Sequence, residues 1–444
     1  MEPSAWQPFA RREFRAVWAS TLAVHLANWM QQVGAASLMT TLTPSPTMTA
    51  LVQTAASLPA VLLGLPAGAL ADLVERRRWL IFTQLWLLVS AAIACGVIAF
   101  GAIGPWSLLA LTALIGVGFA LQLPASQAVI GEVVPRVELP AALVLAGVSF
   151  NISRVAGPAL AGALIGAAGG ASVYAVVSLC SVGVLSFLMR WRGLQRPTNA
   201  PRERLWSAQR TGVRYMRHVP ACRVALMHTL VFMFFGSATW ALLPVLARDT
   251  YALGAGGYGV LLGAFGVGGV LGAFVMPRMR RRWPPHGVVA RSALAFAAVT
   301  AMLAFAVPLA AALCALVLGG IAWMCGASSI YAALQGSLPD WVRARGLSIF
   351  NLAYFLAMAG GAASWGALAE GLGTPPALAL AAASMGLASL WLRRRPMGMP
   401  EEDPTLHLLD FLQPGHAPIV RHRALQALRS DDAETTAATS QEKP

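Results

Sequence analysis

A guanidinium inside an apolar run is the chemically sharpest feature of this sequence. Arg154 lies near the middle of the stretch 141–166, where a charge buried in hydrocarbon costs about 2.5–3.5 kcal/mol on insertion scales. Such a group needs a partner. Two roles are open: an anchor for an anionic group of a bound molecule, such as a carboxylate or catecholate, or a structural pair with Glu132 or Asp72. A second feature is a polar stripe, His25, Asn28 and Gln32 at i, i+3 and i+7, with Trp29 and Gln31 beside it, so the three share one helical face. The stripe either lines a cavity or bonds helices together. His228 occupies nearly the equivalent place later in the chain. Gln122, Ser126 and Gln127 around Pro124, with Asn151, Ser328, Tyr331, Asn351 and Tyr354, are further polar candidates, and Trp240 and Trp323 offer aromatic surface. This is an inventory for binding. Catalytic triads, metal-ligand spacings and Gly-rich phosphate loops with Gly-Lys-Ser or Gly-Lys-Thr are missing from the sequence, so the expectation is a non-enzyme without cofactor.

The elements that must hold these residues are read from composition and periodicity. With 57% hydrophobic and 11% charged residues, against about 25% charged in soluble domains, the chain is an all-α membrane protein. Uncharged runs such as 79–100, 106–130, 171–189 and 346–369 meet or approach the roughly 20 residues that a spanning helix needs. Twelve spans are expected, at about 16–42, 48–71, 79–100, 106–130, 141–166, 171–191, 222–246, 256–277, 287–307, 309–334, 346–369 and 375–392. The cysteines, Cys95, Cys180, Cys222, Cys314 and Cys325, have no paired or metal-ligand spacing and read as small hydrophobes.

The chain is also written twice. Gly64/Gly268, Arg76–Arg78/Arg280–Arg282, Trp79/Trp283, Pro135/Pro339, Gly157/Gly361, Gly162/Gly366, Gly169/Gly373 and Arg190/Arg394 recur at one offset of 204 residues. Duplication in such a chain predicts two pseudo-symmetric six-helix bundles. The expected organisation is a first bundle over 1–191, a basic linker over 192–221 with amphipathic segments for a membrane surface, a second bundle over 222–395, and a partly disordered polar tail over 396–444. Arginines collect at one set of helix ends, whereas the opposite loops contain Arg248 as their only clear basic residue. The positive-inside rule then places both termini in the cytoplasm. A formal net charge of +14 in short flanking loops points to anionic lipid, and nucleic acid is excluded as a partner.

These residues carry a resemblance. Gly68-Ala69-Leu70-Ala71-Asp72 followed by Arg76-Arg77-Arg78, with the twelve-span duplicated plan, resembles the major facilitator superfamily. Gln127, Gly131–Arg136, Leu139-Pro140, Asn151–Pro158, Leu243–Asp249 and Leu338–Arg343 resemble its bacterial branch of enterobactin-exporter-like transmembrane secretion effectors. The resemblance implies a monomeric secondary transporter of the bacterial cytoplasmic membrane, exporting a small amphipathic molecule such as a siderophore, drug or metabolite, with protons as the coupling partner. It assigns gating to Gly68, Asp72, Arg76 and Arg77 as a latch, and to Gly157-Pro158, which resembles the Gly-Pro motif of antiporter branches. It also makes His25, Asn28 and Gln32 cavity-lining. Leu73, Glu75 and Met276-Pro277 depart from the signature, which predicts a weaker or one-sided latch.

Coupling is the least legible step. No Asp or Glu lies in mid-span, so titration falls to His25 or to the edge carboxylates Asp72, Glu132, Asp249 and Glu370. Alternatives to export are an importer or facilitator on the same scaffold, or a non-transporting membrane sensor or assembly partner.

Overall fold

The computed structural model describes residues 6–135, 137–191 and 205–397. The expectations for the linker up to residue 204 and for the tail beyond 397 lie outside these residues, as do the side chains of Asp72 and Asp340. After a short 3-10 turn, Gln7–Ala10, come α1 (Arg12–Leu42), α2 (Pro46–Leu73), α3 (Arg76–Ala99), α4 (Pro105–Val133), α5 (Leu139–Ala168) and α6 (Gly170–Arg190). A shorter helix, α7 (Leu205–His218), leads to α8 (Pro220–Asp249), α9 (Ala255–Arg282), α10 (Pro285–Ala304), α11 (Leu309–Gly336), α12 (Asp340–Leu372) and α13 (Thr374–Arg393). Among the described residues, eleven helices are long and apolar enough to cross a membrane. The twelfth, α1, is 31 residues long; His25, Asn28, Gln31 and Gln32 lower its hydropathy. The polar stripe thus costs the helix that carries it part of its membrane affinity.

Local chemistry sets the boundaries. Ser45 caps α2 by accepting from the Met48 N–H, with Pro46 at the first helical position, where its missing N–H costs nothing. The sharp turns from α5 to α6 and from α12 to α13 are made at Gly169 (φ 77°) and Gly373 (φ 88°), a left-handed conformation that a side chain would strain. These glycines are the same position in the two copies.

The repeat is also visible in the packing. Two bundles, α1–α6 and α8–α13, are related by pseudo-symmetry: α3 on α6 recurs as α10 on α13, α2 on α4 as α9 on α11, and α1 on α5 as α8 on α12. Between the bundles, α5 packs on α9 and α12 packs on α2, again equivalent pairs. Gly162 of α5 meets Gly259 of α9, and its counterpart Gly366 of α12 meets Thr47 and Ala50 of α2. Small residues let helix backbones approach where no hydrophobic force separates protein from lipid. Of the duplicated glycines, the pair Gly162/Gly366 stands on the seam.

The amphipathic segment expected on the membrane surface packs on protein instead. Gly212, Tyr215, Met216 and Val219 are buried, an i, i+3, i+4, i+7 face. Gly212 abuts Arg345 and Ile349 of α12. This face joins the principal core. α8 begins at Pro220, just inside the range read as linker.

Candidate functional site

Arg154 sits where the two bundles meet. It projects from α5 and is only 5% exposed. Its guanidinium lies against the backbone of α9 at Gly269, where a Cβ would overlap Nη2; one turn earlier, Gly266 faces the Arg154 carbonyl and Val155. Among the described residues, neither Nε nor Nη2 has a hydrogen-bond partner. Tyr354 of α12, in the other bundle, is near enough to couple electrostatically with the guanidinium. Glu132 is instead engaged by Arg76, joining the end of α4 to the start of α3. Buried donors without acceptors are expensive, so Arg154 holds binding capacity that the described protein groups leave unused.

An aromatic wall runs from this point across the seam. The His25 ring stands edge-on to Phe150 at 5.2 Å, and Phe150 contacts Trp29 at 6.2 Å. Trp29 meets Trp240 of α8 at 5.9 Å, and Trp240 in turn meets Phe265 at 4.8 Å and Trp323 at 5.6 Å. The wall depends on close helix approach: a Cβ at Gly157 would lie 2.6 Å from Trp29 Cβ, and the Pro158 carbonyl would lie 2.7 Å from a Cβ at Gly259. Gly157 and Pro158 therefore stand at the α1–α5 and α5–α9 contacts respectively.

The polar stripe of α1 divides between two places. Gln32 shares a pocket between the bundles with Trp29, Gln53, Trp240 and Tyr258. His25 faces a pocket inside the first bundle, with Thr21, Gln122 and Ser126, and its Nδ1 is buried without a partner. Asn28, between them, is half-buried. Asn151 donates to the Gly147 carbonyl on its own helix, and Gln127 is exposed outside that pocket. On α12, Asn351 is half-buried one turn before Tyr354. Tyr331 of α11 is 39% exposed and packs edge-on to Phe350 at 5.5 Å. Gly68 lies in the last turns of α2. Arg77 donates to the Leu188 and Met189 carbonyls at the end of α6 (3.0 and 2.7 Å), so Arg76 and Arg77 both bind within their own bundle.

Sequence reasoning missed a seal at the end opposite the arginine clusters. Arg248, at the end of α8, donates to the carbonyls of Thr40 (2.9 Å), Thr43 (2.8 Å) and Pro44 (3.0 Å), and pairs with Asp249. Glu370, at the end of α12, accepts from Ser45 Oγ (2.6 Å) and the Thr47 N–H (3.1 Å). Thr47 Oγ1 donates to the Gly366 carbonyl and Thr54 Oγ1 to the Ala359 carbonyl. The α1–α2 turn is thus gripped by two helix ends of the other bundle. The available signal was Arg248 as the lone basic residue among the opposite loops. Phe150 was missed too, although it lies one turn before Arg154 on the same face of α5. Among the described residues no group of three His, Cys, Asp or Glu side chains gathers at metal-binding distance.

Over residues 3–422 the sequence that folds into these two halves matches a known family, the transmembrane secretion effectors. The chain belongs to that family. It is a membrane transporter of the major facilitator type. The transporter is 26% identical over 222 residues to the uncharacterized MFS-type transporter YfiS of Bacillus subtilis (strain 168), covering 49% of this chain and 52% of that one. It is 23% identical over 265 residues to the staphyloferrin A transporter of Staphylococcus aureus (strain NCTC 8325 / PS 47), covering 59% and 66%. The matches thus span between half and two thirds of these relatives. Among solved structures, its fold is similar to the nucleoside transporter NupG, with TM-score 0.69 at 12% identity over 86% of this transporter and 99% of that chain. It is also similar to a bacterial homolog of the human lysosomal transporter Spinster, with TM-score 0.65 at 15% identity over 86% and 95%.

Proposed function

We propose that this transporter exports a small amphipathic anion, a siderophore or related metabolite, by proton-linked alternating access, with Arg154 as the anchor for the anionic group. The observation that carries the reading is the buried guanidinium between the bundles with two unpartnered nitrogens and an aromatic wall beside it. A planar bidentate donor suits a carboxylate or catecholate, and the wall suits the apolar remainder of the cargo. Similarity to a staphyloferrin A transporter supports a chelating anion. The arginine-rich loops support a cytoplasmic location for both termini in an inner membrane. In that orientation the hydrogen-bonded seal faces outward, and release requires its opening. His25, Asn28, Gln32, Gln127, Asn151, Tyr331 and Asn351 are the accompanying polar candidates, and Gly68, Asp72, Arg76, Arg77, Gly157 and Pro158 the gating ones.

Everted vesicles carrying the protein are given a carboxylate siderophore with and without an imposed proton gradient. Gradient-driven accumulation is expected for wild type. Removing charge-assisted hydrogen bonds worth about 1.5–3 kcal/mol in Arg154→Gln weakens apparent affinity roughly 10- to 150-fold, while Arg154→Lys restores part of it. Equal accumulation by wild type and Arg154→Gln removes the anchor; net uptake by whole cells reverses the direction.

A further inference from the structure

The edge carboxylates available to carry a coupling proton are largely engaged: Glu132 by Arg76, Asp249 by Arg248, and Glu370 by Ser45 and Thr47. A different group has the geometry of a proton site. His228 of α8 is fully buried, and both of its ring nitrogens face carbonyl oxygens: Nδ1 faces Val224 at 2.9 Å and Nε2 faces Leu392 at 3.2 Å. Neutral imidazole has one N–H and one lone pair. Either neutral tautomer therefore sets a lone pair against a carbonyl oxygen. Only the imidazolium donates to both.

Two neighbours favour a cation here, against the desolvation that full burial imposes on it. Leu392 lies in the last turn of α13, where carbonyls lack helical partners and the helix dipole is negative; its carbonyl is also approached by the N–H groups of Arg394 and Arg395, the latter at 3.4 Å. The Trp391 ring stands 5.9 Å from the imidazole, within cation–π reach. Other groups bring charges of the same sign, which disfavour a proton here. His286 of α10 interacts electrostatically with His228, and Arg393, Arg394 and Arg395 follow Leu392, all exposed to solvent. The same end of the bundle has Cys222 and Arg223 on α8, Tyr215 and His218 on α7, and Arg343 and Arg345 on α12.

We propose that His228 is the proton-binding site of this transporter: protonated, it ties α8 to the end of α13, and on losing the proton it must release one carbonyl. The assignment rests on the reading of the chain as a proton-linked transporter. α8 also carries Trp240 in the aromatic wall and Arg248 in the seal. His228 and Arg248 are about 30 Å apart along one helix at 1.5 Å per residue, so freeing one end of α8 acts on the other. His25, nearly equivalent in the repeat, has no such pair of acceptors, since its Nδ1 is unpartnered.

The test is nitrogen-15 histidine and carbon-13 leucine NMR of the full-length protein in nanodiscs from pH 4 to 8, with His228→Gln and His25→Gln for assignment. An imidazolium signal absent from His228→Gln and retained in His25→Gln is expected, and the Leu392 carbonyl resonance should shift as that signal titrates. A neutral His228 throughout, or a Leu392 carbonyl indifferent to the titration, overturns the proposal. Because no cargo is involved, gradient-driven export with a neutral His228 refutes this site alone, whereas a titrating His228 in a protein without transport refutes the functional reading alone.

Discussion

The seal at the arginine-poor end makes the most direct test of how the halves are held. Arg248→Ala removes three hydrogen bonds to the α1–α2 turn, those to Thr40, Thr43 and Pro44. Bonds from a charged donor are worth about 1.5–3 kcal/mol each when shielded, but the Arg248 side chain is 26% exposed, and water replaces part of what is lost. Taking well under 1 kcal/mol per bond gives about 2 kcal/mol in total, which shifts the closed-to-open ratio roughly thirtyfold at 1.4 kcal/mol per decade. A cysteine placed at Gln53, in the pocket between the bundles below this turn, reports on opening. In a background with the five native cysteines replaced, an impermeant maleimide added from the outer face should label Gln53→Cys slowly, and many times faster with Arg248→Ala. Glu370→Gln keeps an acceptor oxygen but loses the charge, so it should give a smaller increase. Unchanged labelling in Arg248→Ala would mean that these bonds do not hold the seal, and that glycine packing along α2, α5, α9 and α12 carries it alone.

Three further outcomes follow from the same geometry. Gly269→Ala drives a methyl group into the Arg154 guanidinium, whereas a Cβ at Gly263 on the same helix meets nothing within 4 Å; transport in everted vesicles should fall at least tenfold in the first variant and stay near wild type in the second. Glu138 stands just before α5 and is held below the usual carboxylate range by its hydrogen bonds from Arg11. A depressed pKa stabilises above the ordinary value near 4.3 and loses that contribution as pH falls through the folded value, so the melting temperature of wild type should drop relative to Glu138→Gln below about pH 4, with the two curves parallel near neutrality. Gly157→Ala overfills the α1–α5 contact at Trp29 and should destabilise the protein by about 1–3 kcal/mol, seen as a lower melting temperature in detergent without loss of membrane insertion.

The polar residues were unevenly legible. Arg154 was recognisable because desolvating a guanidinium is so costly that its place in a span already demands a role. Its lack of a partner among the described groups was not, because Glu132 is nearer in sequence to Arg154 than to Arg76, and only packing turns it toward Arg76. His25, Asn28 and Gln32 share a face by helical spacing, yet α1 borders both a bundle interior and the seam, so neighbouring turns of that face open onto different pockets. His228 looked like a counterpart of His25 from register alone. What distinguishes it is a carbonyl 164 residues away, which no local pattern contains.

What the chain determined by itself was its solvent, its helices and its duplication: long uncharged runs must be helices in lipid because their backbone groups can bond nowhere else, and residues repeated at one offset mark two copies of one unit. Tertiary structure decided which charges meet. The α1–α2 turn falls beside Arg248 and Glu370, and Arg154 lies over Gly269, because the two halves pack through α2 with α12 and α5 with α9. Ion pairing depends on distances across helices, and that information arises only when backbones approach closely enough to bring remote residues within a few ångströms.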